Sequence, residues 1–165
     1  MIDEPILDEL RMPLKTFLTF PTCPPRWKGY DLYIIQDAQV AFYVGQSHCA
    51  FDRVWDHIHG GPHGQSLVGR FVLANWPQSG NFTVTLLDSR AARFAAQRHN
   101  LTAAERVLIE SLAPCLNAAL NAAPTPLPEG YLPPNAPIKF LKSYKRMIRE
   151  AGYAARRNES DTEWG

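Results

Sequence analysis

Residues 32–60 read LYIIQDAQVAFYVGQSHCAFDRVWDHIHG, and this stretch decides the fold. Leu32, Ile34, Val40, Phe42 and Val44 supply the apolar and β-branched content of two short strands. Asp37-Ala38-Gln39 is the polar interval between them and predicts a tight turn. Beyond Ser47 and His48, the residues Phe51, Val54, Trp55 and Ile58 fall at helical spacing, which predicts a helix over about 48–58. Tyr33 and Tyr43 then sit on neighbouring strands. Arg53 and His57, four residues apart, share one face of the helix, one turn above another. Two phenols, a guanidinium and an imidazole gathered in this way point to chemistry on a phosphate.

The rest of the chain builds around that unit. Gly60-Gly61-Pro62-His63-Gly64 ends the helix, since glycine supplies a cap and proline cannot continue it. Residues 65–74 carry Leu67, Val68, Phe71, Val72 and Leu73, a pattern that fits a short helix or a strand equally well. Phe82 to Asp88 alternates and predicts a third strand. Ser89 to Asn100, rich in alanine and arginine, predicts a helix. Another begins at Thr102, buries Val107, Leu108, Ile109 and Leu112, and ends near Pro114.

The fold expected is α/β, a small, largely antiparallel three-stranded sheet flanked by helices, with an added C-terminal helix. Residues 1–29 form an extension packed on the core, in which Ile6, Leu7, Leu10 and Leu14 suggest a short helix broken by Pro13. Residues 30–117 form the central domain. Seven of the fourteen prolines lie from Pro114 to Pro137, which excludes helix and central strand and makes 118–137 a strap across the surface. A basic amphipathic helix over 138–152 and a polar tail over 153–165 complete the chain.

Bulk properties narrow the function. The 165 residues suit one domain with peripheral additions. Three widely spaced cysteines include no CxxC pair, which argues against a cysteine-based zinc site or a disulfide framework and for a reducing, cytoplasmic setting. The acidic start, MIDEPILDEL, is unlike a signal peptide, and no apolar run suggests a membrane span. The net charge is only +1, so attraction to a polyanion depends on where the charge sits. Lys139, Lys142, Lys145, Arg146 and Arg149, with Arg156 and Arg157, face only Glu150 across residues 139–157. Such a segment can contact several phosphates in a salt-dependent way. The acidic start is a candidate to mute it.

Leu32-Tyr33-Ile34, Tyr43-Val44-Gly45, Gln46-Ser47, Arg53 and His57 resemble the core of the GIY-YIG nuclease family, closest in wording to its homing-endonuclease and restriction branches. The steps of ten from Tyr33 to Tyr43, ten to Arg53 and four to His57 carry the resemblance. Glu105, Pro114 and Asn117 match its downstream half, so it covers roughly residues 30–117. It implies a metal-dependent endonuclease that hydrolyses DNA phosphodiester bonds, leaving 5′-phosphate and 3′-hydroxyl ends. Glu105 would hold one Mg²⁺ or Mn²⁺. Arg53 would bridge phosphate oxygens through its planar donors. Tyr33 would accept the proton of the attacking water, aided by Arg53, the metal and His57. Tyr43 and Asn117 would orient water, phosphate or neighbouring side chains.

Two departures and several rival readings accompany this. Asp31 stands where the family has its first glycine, and Gln46 where some branches carry lysine. Thr102-x-x-Glu105 also reads as a capping box, which would compete with metal binding. His57, His59 and His63 could be taken for a zinc cluster. The alternative function is a non-catalytic module that holds nucleic acid or a protein partner on a degenerate nuclease fold; RNA is a further candidate substrate. Double-strand cleavage by one such site requires a homodimer or two successive binding events.

Overall fold

The structure, a computed structural model, describes residues 8–63, 65–137 and 143–153. Its centre is an antiparallel sheet of four strands, not three: β1 (Glu9–Pro13), β2 (Leu32–Gln36), β3 (Ala41–Gln46) and β4 (Thr83–Leu87) in the order β1-β4-β2-β3. The helix expected across Leu10 is instead strand β1. Leu10 and Met12 lean on the core while Arg11 is exposed, an alternation of period two. Pro13 closes the strand at the sheet edge, where a missing N–H costs no ladder bond.

β2 and β3 form the expected hairpin. Asp37 builds its turn by accepting from the backbone N–H groups of Gln39 (2.8 Å) and Val40 (2.7 Å) through Oδ1. A register shift after Ile35 leaves Phe42 as an extra residue in β3, so it turns into the core beside Tyr43.

The two faces of the sheet carry separate cores. Tyr33, Ile35, Phe42, Val84 and Leu86 pack under α1 (Leu14–Phe17), α2 (Ala50–Gly60) and α3 (Leu67–Ala74). Leu32, Ile34, Ala41, Val44 and Leu87 pack under α4 (Leu101–Leu112). β2 is therefore buried on both sides, which its unbroken apolar run reflects. Residues 67–74 resolve as helix, capped by Ser66, whose Oγ accepts from the N–H of Gly69 at 2.9 Å.

The helix expected over 89–100 is a short 3-10 turn, Ala92–Gln97. Phe94 is kinked away from helical dihedrals and buried in the second core, and Arg98 and His99 follow at φ 55°. One apolar anchor with two left-handed residues behind it overrides the local helix propensity of alanine.

Past α4 the chain turns along the outer edge of β3. Cys115 and Leu116 donate backbone bonds to the carbonyls of Ala41 (3.0 Å) and Phe42 (2.9 Å), covering an edge that would otherwise be open. From Ala113 to Pro137 there is no helix or strand. This strap is tied down where Tyr131 donates to Asp37 (2.8 Å) and where Asn75 brackets the backbone of Leu132.

A last helix, α5 (144–153), seats Met147 and Ala151 in the first core. Lys139 and Lys142, and the tail beyond 153, lie outside the described residues. Among the described residues no helix is long and apolar enough to cross a membrane.

Candidate active site

β3 is one of the two edge strands, and α2 and α4 lie on opposite faces of the sheet beside it. Side chains from both helices therefore meet round the end of β3. α2 contributes Arg53 and His57, β2 contributes Tyr33, β3 contributes Tyr43, and α4 contributes Glu105. The rings of Tyr33, Tyr43 and His57 form a triangle with centroids 5.2–6.1 Å apart. Arg53 and Glu105 both act on the two phenols electrostatically. Five of the six residues singled out in the sequence thus share one environment.

Tyr33 is the innermost, with 1% of its surface exposed. Its hydroxyl lies 2.7 Å from Nε2 of His57. Burial pushes this phenol well above its ordinary pKa and Tyr43 adds to the effect, whereas Arg53 opposes it by charge and a hydrogen bond. Tyr43, half-buried, is also raised, first by burial and then by Glu105. His57 is lowered to about 4 by burial and by the nearby Arg53 cation. At neutral pH the centre therefore holds two neutral phenols, a neutral imidazole and the exposed cation of Arg53.

Glu105 is not a capping residue. The N-cap of α4 is Asn100, whose Oδ1 accepts from the N–H of Ala103 at 2.9 Å. Thr102 lies inside the helix. Glu105 instead accepts from Nε2 of Gln46 at 3.3 Å, and burial raises its pKa against the opposing effect of that bond. A half-buried carboxylate with one weak partner fits a single divalent cation, which would favour its charged form. No set of three His, Cys, Asp or Glu side chains among the described residues could enclose a metal. The zinc reading fails for a direct reason: His57 has both ring nitrogens engaged, with Tyr33 and with Ser66 Oγ (2.7 Å).

Asn117, which the resemblance gives the task of orienting water, phosphate or neighbouring side chains, spends its amide on the sheet. Its Oδ1 accepts from Val44 N (2.9 Å) and its Nδ2 donates to Val44 O (2.8 Å), clamping the backbone of β3 between Tyr43 and Gly45. Asp31 holds Ser89 through backbone N (2.8 Å) and Oγ (2.6 Å), joining the start of β2 to the exit of β4. Its carboxylate is thereby occupied in structure.

On the basic helix, Lys145, Arg146 and Arg149 are exposed, but Arg146 is paired with Glu150 at 2.7 Å. Glu9, in the acidic start, pairs with Arg11 and Arg93, not with this helix.

Sequence reading missed two participants. Gly45 lies opposite Tyr33 in the ladder, and Ser66 reaches His57 from the start of α3. A serine ahead of an apolar helical run is a readable N-cap; its bond to His57 had no sequence signal. Beside Arg53 and His57 a cavity of about 550 Å³ opens, lined also by His59, His63, Gln65, Ser66 and Tyr144. Comparison with protein-family models, curated proteins and solved structures gives no match for this chain.

Proposed function

We propose that this chain is a metal-dependent endonuclease that hydrolyses DNA phosphodiester bonds. The observation that carries the reading is the convergence of Tyr33, Tyr43, Arg53, His57 and Glu105 from four separate elements onto the end of β3. Structural aromatics and a solvated helix face have no reason to bring a guanidinium and an imidazole to two phenols that also feel a carboxylate.

Glu105 would hold Mg²⁺ or Mn²⁺, which supplies charge neutralisation at the departing 3′ oxygen. Arg53, exposed at the mouth of the site, presents a planar fork of donors to the phosphate. Tyr33 is neutral at rest, so it serves as a base only if its own proton has somewhere to go. The neutral His57 at 2.7 Å offers that place. Tyr43, nearer the surface, orients the water or phosphate. Lys145 and Arg149 extend the positive surface for the DNA backbone. The binding-module alternative rested on Asp31 and on a capping role for Glu105. The bond of Asp31 to Ser89 and the capping of α4 by Asn100 support the catalytic reading over it.

The test is incubation with supercoiled, linear and branched DNA in Mg²⁺ or Mn²⁺. Wild type should nick or cut. Glu105→Ala and Arg53→Ala should each lower the rate by about 100-fold or more, the scale for losing a charge-stabilising group, with unfolding midpoints little changed. Salt-sensitive binding without cleavage on any substrate would assign the fold to a binding module instead.

A further inference from the structure

Ser66 lies outside every residue that the sequence singles out, yet it makes the only hydrogen bond to the far side of His57 among the described residues. Both are buried, His57 to 7% and Ser66 to 8% exposure. The chain of contacts runs from Tyr33 Oη to His57 Nε2 (2.7 Å), from His57 Nδ1 to Ser66 Oγ (2.7 Å), and from Gly69 N–H to Ser66 Oγ (2.9 Å). The packing that permits it is specific. A Cβ on residue 69 would run into the backbone carbonyl of His57, so α3 approaches α2 this closely only with glycine there.

A neutral imidazole has one N–H and one lone pair. Two hydroxyl groups face it, and they cannot both donate. Tyr33 oxygen already accepts from Arg53 and so has its O–H free to donate, which gives Tyr33 the lone pair and leaves the imidazole N–H to Ser66. Ser66 Oγ then accepts twice, from Nδ1–H and from Gly69 N–H. Its own proton is left to point into the cavity that it helps to line.

We propose that Ser66 is a positioning residue: it holds His57 as the Nδ1–H tautomer, with Nε2 turned to Tyr33, and connects that pair to the cavity as a proton outlet. The outlet role rests on the endonuclease reading, whereas the tautomer does not. The balance is as follows. The Tyr33 O–H proton moves to Nε2, the Nδ1 proton moves to Ser66 Oγ, and the Ser66 proton moves to water in the cavity. Tyr33 oxygen takes a proton from the attacking water, whose oxygen bonds to phosphorus while the bond from phosphorus to the 3′ oxygen breaks. Tyr33 passes that proton on to the 3′ oxygen and takes back the one on Nε2, while cavity water returns a proton through Ser66 to Nδ1, which restores the starting tautomer. A relay suits this histidine because a full imidazolium is opposed by burial and by Arg53 on its own helix. The other groups around the ring, Tyr33 from β2, Tyr43 from β3 and Ser66 from α3, are all neutral partners.

The full chain labelled with ¹⁵N-histidine tests the tautomer directly. His57 should show a pyrrole-type Nδ1 and a pyridine-type Nε2 at pH 7, and Ser66→Ala should weaken that preference. An Nε2–H tautomer in wild type, or a tautomer indifferent to Ser66→Ala, overturns the proposal. Cleavage tests the outlet. Ser66→Ala should lower kcat by about 10- to 100-fold and change the solvent isotope effect with KM near wild type, and Ser66→Thr should restore both. Ser66→Gly, which an N-cap tolerates better than alanine, gives the same readings should alanine unfold α3. Full kcat in both hydroxyl-free variants removes the outlet. A wild type that cuts no DNA but shows the Nδ1–H tautomer defeats the endonuclease reading and leaves the Ser66–His57 assignment standing.

Discussion

Tyr33 lies across Gly45, its cross-strand partner, so closely that a Cβ on residue 45 would overlap the phenol ring and its hydroxyl. This contact explains the glycine that follows Tyr43 by two residues in β3. Tyr43 stands two residues before Gly45 on the same face, and the glycine clears the space that the buried phenol needs to reach His57.

Gly45→Ala should therefore destabilise the protein by about 1–3 kcal/mol, the usual cost of forcing a methyl into a packed site, and should displace the Tyr33 hydroxyl from His57. Urea unfolding of a double-mutant cycle with Tyr33→Ala checks the cause. Most of the alanine penalty should vanish once the ring is gone. An equal penalty in both backgrounds would place the fault in the β3 backbone instead.

Asn117 carries the β3 edge at Val44 through two hydrogen bonds from one amide. Asn117→Ala should cost about 1–3 kcal/mol, since a part-buried backbone pair loses its partner. Asn117→Asp should cost a comparable amount, because a carboxylate cannot donate to the Val44 carbonyl. If Asn117 acted on water or phosphate instead, both variants would keep wild-type unfolding midpoints and lose only cleavage.

The difference between what could and could not be read in the sequence follows from range. The hairpin, its Asp37 turn, α2 and the relation of Tyr33 to Tyr43, Arg53 and His57 are set by local periodicity and by spacings of four to ten residues. Strand β1 escaped because a five-residue stretch ending in proline has no stable form alone; β4, more than seventy residues later, gives it one. The 92–97 turn escaped because burial of Phe94 outweighs what alanine prefers locally. Asn117 was found by its spacing but its clamp on Val44 was not, since a side chain that hydrogen-bonds to backbone leaves no mark in the pattern. Ser66 was invisible as a partner of His57 for the same reason.

The start of α4 offers a choice between two caps, with a bearing on Glu105. Asn100→Ala should destabilise by about 1 kcal/mol, the typical loss of an N-cap, whereas Thr102→Ala should stay within about 0.5 kcal/mol, as a substitution away from any such feature does. Thermal unfolding of the two variants decides it. The reverse ranking would return Glu105 to a capping box and withdraw it from metal binding.

The buried imidazole also makes stability depend on pH. His57 has an ordinary value of 6.5 and is lowered to about 4 in the folded protein, by burial first and Arg53 second. Between those values the unfolded chain binds more protons, so stability rises with pH. The contribution is complete above about 6.5 and is lost as pH falls towards 4, on the order of 3 kcal/mol in all. Glu105, raised by burial, works in the opposite sense: it favours the folded state at the acid end and loses that advantage as pH rises through its folded value. Urea unfolding from pH 4 to 7 should give wild type a steeper positive slope than His57→Gln, which keeps the effects of Glu105 and of the lowered carboxyls of Asp37, Asp88 and Glu150. Equal slopes would mean that His57 takes up its proton in the fold as readily as in the open chain, and the neutral acceptor for Tyr33 would be gone.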